Sequence, residues 1–212
     1  MSAETLAYDE KLRLTHPIIV GCDEVGRGCL AGPVVTAAVI LPAGIDIPGV
    51  MDSKKIKKSE HEKLARLVYE TAIEVQIGIK DADVIDDVNI LEADKLAMLD
   101  TINNLRTKPD LILIDGDSKQ YLNTAYDEQV VIKGDATSLT IGAASILAKY
   151  IRDRIMANYD KKYPGYGFAK NAGYGTAQHR AALAKLGVTP IHRKTFEPIK
   201  SQGHLWKTNN GI

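Results

Sequence analysis

Cysteine is scarce: the 212 residues hold only Cys22 and Cys29. Their spacing is not that of a CxxC pair. No further cysteine and no histidine cluster completes a zinc set, so a structural zinc site is excluded. A reducing, cytosolic setting fits such a chain. Long apolar runs are also missing. Nothing approaches the roughly 20 residues that a membrane span needs. The opening residues, MSAETLAYDEKLRLTH, lack the apolar core of a signal peptide, so no export leader is expected. Internal repeats and low-complexity segments are absent. Net charge is absent too, with 27 Lys/Arg against 27 Asp/Glu.

The zero total hides an asymmetry. Residues 149–212 carry twelve Lys/Arg and three Asp/Glu, a net of +9, which leaves −9 on residues 1–148. An acidic body with a basic final third suggests a metal-binding or acidic site together with a phosphate-binding surface. With 45% hydrophobic and 25% charged residues, the composition is that of a globular protein. The length suits one domain, or one domain with a small appendage.

Hydrophobic patterning predicts an α/β layer fold. Strands are expected at Pro17–Cys22 and Pro33–Leu41, joined as a hairpin through a glycine loop. Further strands are expected at Glu74–Ile79, Leu111–Ile114 and Val130–Ile132. A helix is expected from Ser59, with Glu62 in capping-box position and Leu64, Leu67, Val68 and Ala72 at helical spacing. Another runs from Asn89 to about Leu105, with Ala93, Leu96, Leu99 and Ile102 on one face. A long one spans Thr137–Tyr159 and a short one Ala177–Leu186. Between these last two, KKYPGYGFAKNAGYGT reads as a ligand-binding loop. The closing GHLWKTNNGI is open between disorder and docking through Trp206.

One pattern carries chemistry. Apolar strand residues run into an acid three times, at Asp23 (with Glu24), Asp115 and Asp135. Strand ends of a buried sheet share an edge where ligands bind. Carboxylates gathered there repel one another unless cations sit between them. Hard oxygen donors suit Mg2+ or Mn2+, and four carboxylates can hold two such ions about 3.5–4 Å apart for an in-line phosphoryl displacement. Adjacent strand residues face opposite ways, so Asp23 and Glu24 meet one site only if the strand bends or ends between them. Otherwise Glu24 contributes through a water or its own carbonyl.

The loop Gly26-Arg27-Gly28-Cys29-Leu30-Ala31 fits a dinucleotide fingerprint, but it runs into a strand rather than opening a helix, which rejects that reading. Its glycines instead let backbone approach a ligand, and a neighbouring N–H and C=O can recognise a ribose 2′-hydroxyl. Ser53 and Lys54, in DSKK, suit a phosphate contact. Tyr174 could stack on a sugar or base, whereas Tyr166 reads as local packing. His179 and His192 show no partner pattern and read as structural or phosphate-facing. Asp86, Asp87 and Asp117 read as turn residues by default, with an outer-shell role beside a metal site as the alternative.

These residues fall in motifs that resemble bacterial ribonuclease HII, the type 2 ribonuclease H family. The motifs are DEVGRGCLAGPVV (23–35), DSKK (52–55), NILEADKLAM (89–98), LIDGD (113–117), KGDATSLTIGAASILAKYIRD (133–153), GYGTAQH (173–179) and HRKTF (192–196). The resemblance spans Ile18 to Pro198. It implies a ribonuclease H-like fold with a five-stranded mixed sheet, flanking helices and a small C-terminal helical segment. Residues 1–160 would form the catalytic core, and 161–212 a substrate-binding loop, helix and basic tail within one compact domain. It implies a metal-dependent endonuclease, with Mg2+ or Mn2+, that cuts the RNA strand of RNA–DNA hybrids. It further implies incision 5′ of a single ribonucleotide in duplex DNA, leaving a 3′-hydroxyl and a 5′-phosphate. Asp23, Glu24, Asp115 and Asp135 would be the catalytic, metal-holding set. Gly26, Arg27 and Gly28 would read the 2′-hydroxyl, and Tyr174 would pack on the adjoining sugar. A monomer in the cytoplasm is expected. Val84, Gly142 and Ala172 depart from the usual Glu, Ala and Lys of the family pattern. A junction resolvase or integrase on the same sheet, or a hybrid-binding protein without catalysis, are the competing readings.

Overall fold

The computed structural model describes residues 3–50, 58–202 and 205–211. Ser53 and Lys54 lie outside the described residues. In chain order the elements are α1 (Ala3–Arg13), β1 (Ile19–Val25), β2 (Val34–Ile40), α2 (Lys58–Thr71), β3 (Glu74–Lys80), α3 (Ala82–Val88) and α4 (Ile90–Asn103). Then come β4 (Leu111–Asp115), β5 (Asp127–Val131), α5 (Leu139–Lys162), α6 (Phe168–Asn171), α7 (Ala177–Leu186) and α8 (Ile199–Gln202). The chain divides into two compact units. The first comprises Met1–Val25, Thr36–Gly78 and Lys95–Tyr150, and the second Gly26–Val35, Ile79–Asp94 and Ile151–Ile212.

The strands form one mixed sheet of order β3-β2-β1-β4-β5. β1 pairs parallel with β4 from Ile19↔Leu111 to Cys22↔Ile114, and β4 pairs parallel with β5 from Leu111↔Asp127 to Asp115↔Val131. Period-two alternation sorts the strand residues into two apolar layers. Val20, Cys22, Ile112 and Ile114 pack with Met98 and Ile102 of α4. Ile19, Leu111, Leu113 and Val131 pack with Ile141 of α5 and with Tyr8 and Leu12 of α1. Ala37 and Val39 join Leu64 and Val68 of α2 and the start of α5. The sheet is thus covered on both faces, and β1 and β4 accordingly read as continuous apolar runs.

Two contacts show how tightly the helices seat. A Cβ on Gly21 of β1 would lie 2.5 Å from backbone atoms of Thr140 and Ile141, and one on Gly78 of β3 would lie 2.1 Å from the Ala97 carbonyl oxygen. α1 is fastened by Asp9, whose buried carboxylate accepts hydrogen bonds from the Thr140 amide and hydroxyl at the head of α5.

In the second unit, a cluster of Met156, Tyr163, Tyr166, Phe168, Leu183 and Ile199 forms its own core. Trp206 packs against it, and Val188 donates to the Lys207 carbonyl and accepts from the Asn209 amide. The described part of the closing segment is therefore docked.

Candidate active site

Asp23 lies near the end of β1, and β1 continues without interruption through Glu24 to Val25. Extending the β1–β4 register by one residue sets Asp23 beside Asp115, the last residue of β4. Both fall in the alternation phase of Ile19, Leu111 and Leu113, which is the face covered by α5. A hydrogen bond between the Asp23 carboxyl and the Ser145 side chain of α5 agrees with this. Glu24 takes the opposite phase. The strand neither ends nor breaks between the two acids, so the routes left to Glu24 are a water or its backbone carbonyl.

Asp135 does not end a strand. β5 stops at Val131, the chain turns through Lys133 in left-handed conformation, and Asp135 sits in a 3-10 turn, Gly134–Ala136. That turn is tied to β4 because the Gly134 amide donates to Asp115 Oδ1 at 2.6 Å. A Cβ on Gly134 would fall 3.2 Å from the same oxygen, so the glycine permits the close approach.

The electrostatics of this edge are unfavourable as they stand. Asp23 is 5% exposed. Burial, then the neighbouring Glu24 carboxylate, and also Asp115, push its carboxyl well above the usual carboxylate range, against a lowering from Ser145 and the Glu24 amide. Among the described residues no three histidine, cysteine or acidic side chains form a closed metal-binding group. An open set of hard oxygens fits Mg2+ or Mn2+, since Mg2+ keeps several waters and completes its shell with substrate phosphate. A divalent cation would also relieve the crowding around Asp23.

The glycine loop, in the second unit, is held from beneath by two arginines. Arg193 donates to the carbonyls of Gly26 (2.7 Å), Arg27 (2.8 Å) and Gly32 (2.9 and 3.1 Å). Arg152 donates to those of Pro33 (2.8 Å), Ala31 (3.1 Å) and Ala172 (2.8 Å). Both are 0% exposed. Burial lowers the Arg193 guanidinium to about 10, with nearby Arg152 adding to the effect. The two glycines of the loop differ. Gly26 has φ 104°, and a Cβ there would meet Arg152 Nε at 2.3 Å, so the fold requires glycine. Gly28 is exposed, and a Cβ there would meet nothing within 4 Å. Arg27 extends toward Asp94, Nε to Oδ2 3.8 Å, and Asp94 is itself fully buried.

Tyr174 is 43% exposed, and its hydroxyl meets the buried Cys29 thiol. Its loop joins the glycine loop, for the Leu30 amide donates to the Gly173 carbonyl and the Arg193 amide to the Leu30 carbonyl. Tyr166 is buried, with its hydroxyl on the Gly187 carbonyl, and is a packing residue as expected. His179 and His192 are buried against each other, which removes the phosphate-facing reading. Asp86 binds the Lys194 and Thr195 amides and the Thr195 hydroxyl, and Asp117 caps the turn at Ser118–Gln120, so both have structural partners.

The sequence reading passed over Arg152 and Arg193, and it named His179 and His192 without pairing them. Arg152 carried a signal: with Ala148 and Met156 it sits at helical spacing on an apolar face, where a charge needs a buried partner. Arg193 carried none, because its partners are carbonyls far away in sequence.

A family model for ribonuclease HII matches residues 20–199. The chain belongs to the ribonuclease HII family. Members are metal-dependent endoribonucleases that degrade the RNA of RNA–DNA hybrids. Among solved structures, the ribonuclease H2 from Pyrococcus horikoshii matches with TM-score 0.76 and 26% identity, over 89% of this chain and 98% of that one. The RNase HII of the PCNA:RNase HII complex from Archaeoglobus fulgidus matches with TM-score 0.71 and 24% identity, over 85% and 95%. Bst-RNase HIII in complex with Mn2+ matches with TM-score 0.68 and 20% identity, over 89% and 70%. The last two likenesses are of fold. No described helix is long and apolar enough to cross a membrane.

Proposed function

We propose that this ribonuclease HII family member incises duplex DNA on the 5′ side of a single embedded ribonucleotide, as well as cutting longer hybrids, and leaves a 3′-hydroxyl and a 5′-phosphate. The observation that carries the reading is the placing of Asp23 and Asp115 side by side when the register of their neighbouring parallel strands is extended by one residue, with the Asp23 carboxyl pushed up by burial first and then by the acids around it. Such a set is stable in ionised form only against positive charge.

Asp23, Asp115 and Asp135 would hold the metal, with Glu24 assisting through water or its carbonyl. Two divalent cations, Mg2+ or Mn2+, would supply an activated water and charge against the departing 3′-oxygen. The likeness to a Mn2+-bound HIII structure supports the choice of ion. Ser145 and the Glu24 amide orient the Asp23 carboxylate, and the Gly134 amide orients that of Asp115.

Gly26, Arg27 and Gly28 read the ribose 2′-hydroxyl in this account. Gly28 supports it: a glycine that neither φ nor packing requires leaves room for a close ligand. The Gly26 carbonyl already accepts from Arg193 and from the Cys29 amide, so in this account the hydroxyl approaches at the open stretch around Gly28. Tyr174 offers its exposed ring to the adjoining sugar. The basic stretch within 161–212 grips the backbone without reading sequence, Ser53 and Lys54 add a phosphate contact, and the protein acts as a monomer. Two free thiols fit work in the reducing cytoplasm.

The test is an end-labelled DNA duplex with one ribonucleotide, incubated with Mg2+ or Mn2+ beside an all-DNA duplex. Incision only 5′ of the ribonucleotide is expected. Cutting of both duplexes would remove the role given to Gly26, Arg27 and Gly28, and cutting of long hybrids alone would remove the single-ribonucleotide activity.

A further inference from the structure

His179 and His192 are 0% and 1% exposed, and their Nε2 atoms lie 3.0 Å apart. Their outer partners fix which nitrogen carries each proton. The Thr189 amide can only donate, and it reaches His192 Nδ1 at 2.9 Å, so that nitrogen accepts, with the Thr189 hydroxyl at 2.8 Å placed as a second donor. His192 must then carry its proton on Nε2 and donate it to His179 Nε2. The Tyr174 carbonyl can only accept, and it lies 3.0 Å from His179 Nδ1, so that nitrogen donates. One direction therefore runs along the whole chain: Thr189 amide to His192, His192 to His179, His179 to the Tyr174 carbonyl. In this direction both rings are neutral. A proton added at His192 Nδ1 would face the Thr189 N–H, and one added at His179 Nε2 would face the N–H of His192.

The surroundings maintain that neutrality. Tyr166 and Phe168 enclose the pair, with ring centroids 5.2–5.3 Å from the nearer imidazole. The charged neighbours along the chain, Arg180 on α7 and Arg193 after His192, are cationic, and both are turned to carbonyls. Burial lowers both imidazoles. Besides the other ring and backbone groups, the Thr189 hydroxyl meets His192 Nδ1 at 2.8 Å.

The far end of the relay is the residue whose ring the proposed function sets against the substrate sugar. The Tyr174 carbonyl accepts from His179 and from the Thr176 amide, and the Tyr174 amide donates to the Asn171 carbonyl. We propose that the directed, neutral His192–His179 relay is a positioning device for Tyr174, fixing its backbone so that its exposed ring is presented to the substrate at one angle. This rests on the reading of Tyr174 as a substrate contact. His179 and His192 are positioning residues and touch no substrate.

Two measurements test it. The first is the 15N spectrum of histidine-labelled protein. It should show both rings neutral at pH 7, His179 protonated at Nδ1 and His192 at Nε2; a charged ring or the reverse tautomers would overturn the relay, whatever Tyr174 does. The second is steady-state cleavage of the single-ribonucleotide duplex by His192→Leu and His192→Gln, alone and with Tyr174→Ala. Leu removes the donor, and KM should rise about tenfold with kcat changed less than about twofold. Gln restores an N–H donor that cannot be protonated, and KM should stay within about threefold of the parent. With Tyr174→Ala already present, Leu should add nothing. Equal behaviour of Leu and Gln, or a full additional effect on Tyr174→Ala, would overturn the proposal. Should His192→Leu fail to fold, the Gln variant and the tautomers still decide. If Tyr174→Ala alone leaves KM unchanged, the substrate role of Tyr174 falls and the positioning role with it, while the spectrum still reports whether the relay exists.

Discussion

Around Asp23, three acidic side chains crowd one strand end, and burial together with Glu24 and Asp115 makes ionising the Asp23 carboxyl costly. Around Gly26 and Tyr174 the polar groups instead meet complementary partners: six carbonyls answered by two buried guanidiniums, and a carbonyl answered by a histidine relay. In the proposed reading the first region is completed by what binds to it, metal and phosphate. The second is completed by the chain itself. Chemistry at a phosphate needs charge that arrives with substrate, whereas reading one hydroxyl needs a surface already rigid before substrate arrives. Destroying the two regions should accordingly look different.

Asp115→Asn is the strongest test. The amide oxygen can still accept from Gly134, so the turn at Gly134–Ala136 survives, but the charge proposed to hold metal is gone. Hybrid cleavage should fall at least about 1000-fold, roughly 4 kcal/mol of barrier. The melting temperature in chelator should hold or rise, since a neighbour that opposes Asp23 ionisation has been neutralised. A variant with near-normal turnover would sink the metal-ligand assignment.

Arg193→Met should do the converse. Methionine keeps much of the bulk but removes the guanidinium donor from the Arg27 and Gly32 carbonyls and leaves that of Gly26 with the Cys29 amide. A loss of about 3 kcal/mol in chemical denaturation is expected, with a raised KM on the ribonucleotide duplex. A stable variant with normal KM would show that the loop holds its own shape.

Acid should separate the regions more gradually. Burial first, and then His179, lower the His192 imidazole from 6.5 to about 3. The unfolded chain therefore binds the proton more readily than the native one. This contribution to stability is complete above pH 6.5 and is lost as pH falls toward 3, at about 1.4 kcal/mol per pH unit. Asp23 works in the opposite sense, because a raised carboxyl favours the native state as it takes up its proton. Melting curves of the parent and of His192→Gln between pH 7 and 4 isolate the histidine: the variant's stability should fall less steeply.

Much of this architecture was legible in the sequence. Apolar runs ending in Asp23 and Asp115 marked β1 and β4, and the Ala177–Leu186 helix has the bounds its pattern predicts. Leu67 and Leu96, which helical spacing groups with Leu64 and Val68 and with Ala93 and Ile102, are exposed, while Ala65, Ala97 and Met98 are buried. On α4 the close approach of Gly78 to Ala97 leaves room there for a small side chain only, and on α2 Ala65 sits beside Leu64 and Val68 in the core. α1 gave no pattern because long-range contacts hold it, chiefly Asp9 to Thr140. The acidic set could be read locally, since each acid follows its own strand or turn. The support of the glycine loop could not, because Arg193 reaches Gly26 across 167 positions of sequence.

The finest comparison lies within the loop, between its two glycines. Gly26→Ala forces a Cβ into Arg152 and the Pro33 carbonyl at a φ of 104°, and should cost about 2 kcal/mol or more. Gly28→Ala meets open space without a left-handed φ, and should change stability by less than about 0.5 kcal/mol. If Gly28 is bare so that a ribose can approach, its added methyl should nonetheless raise KM for the single-ribonucleotide duplex several-fold, leaving the melting temperature alone. The two variants together separate a glycine kept for the fold from one kept for the ligand. Should Gly28→Ala bind and cut the ribonucleotide duplex as the parent does, the 2′-hydroxyl must be read elsewhere, and the arginine cradle would then serve stability alone.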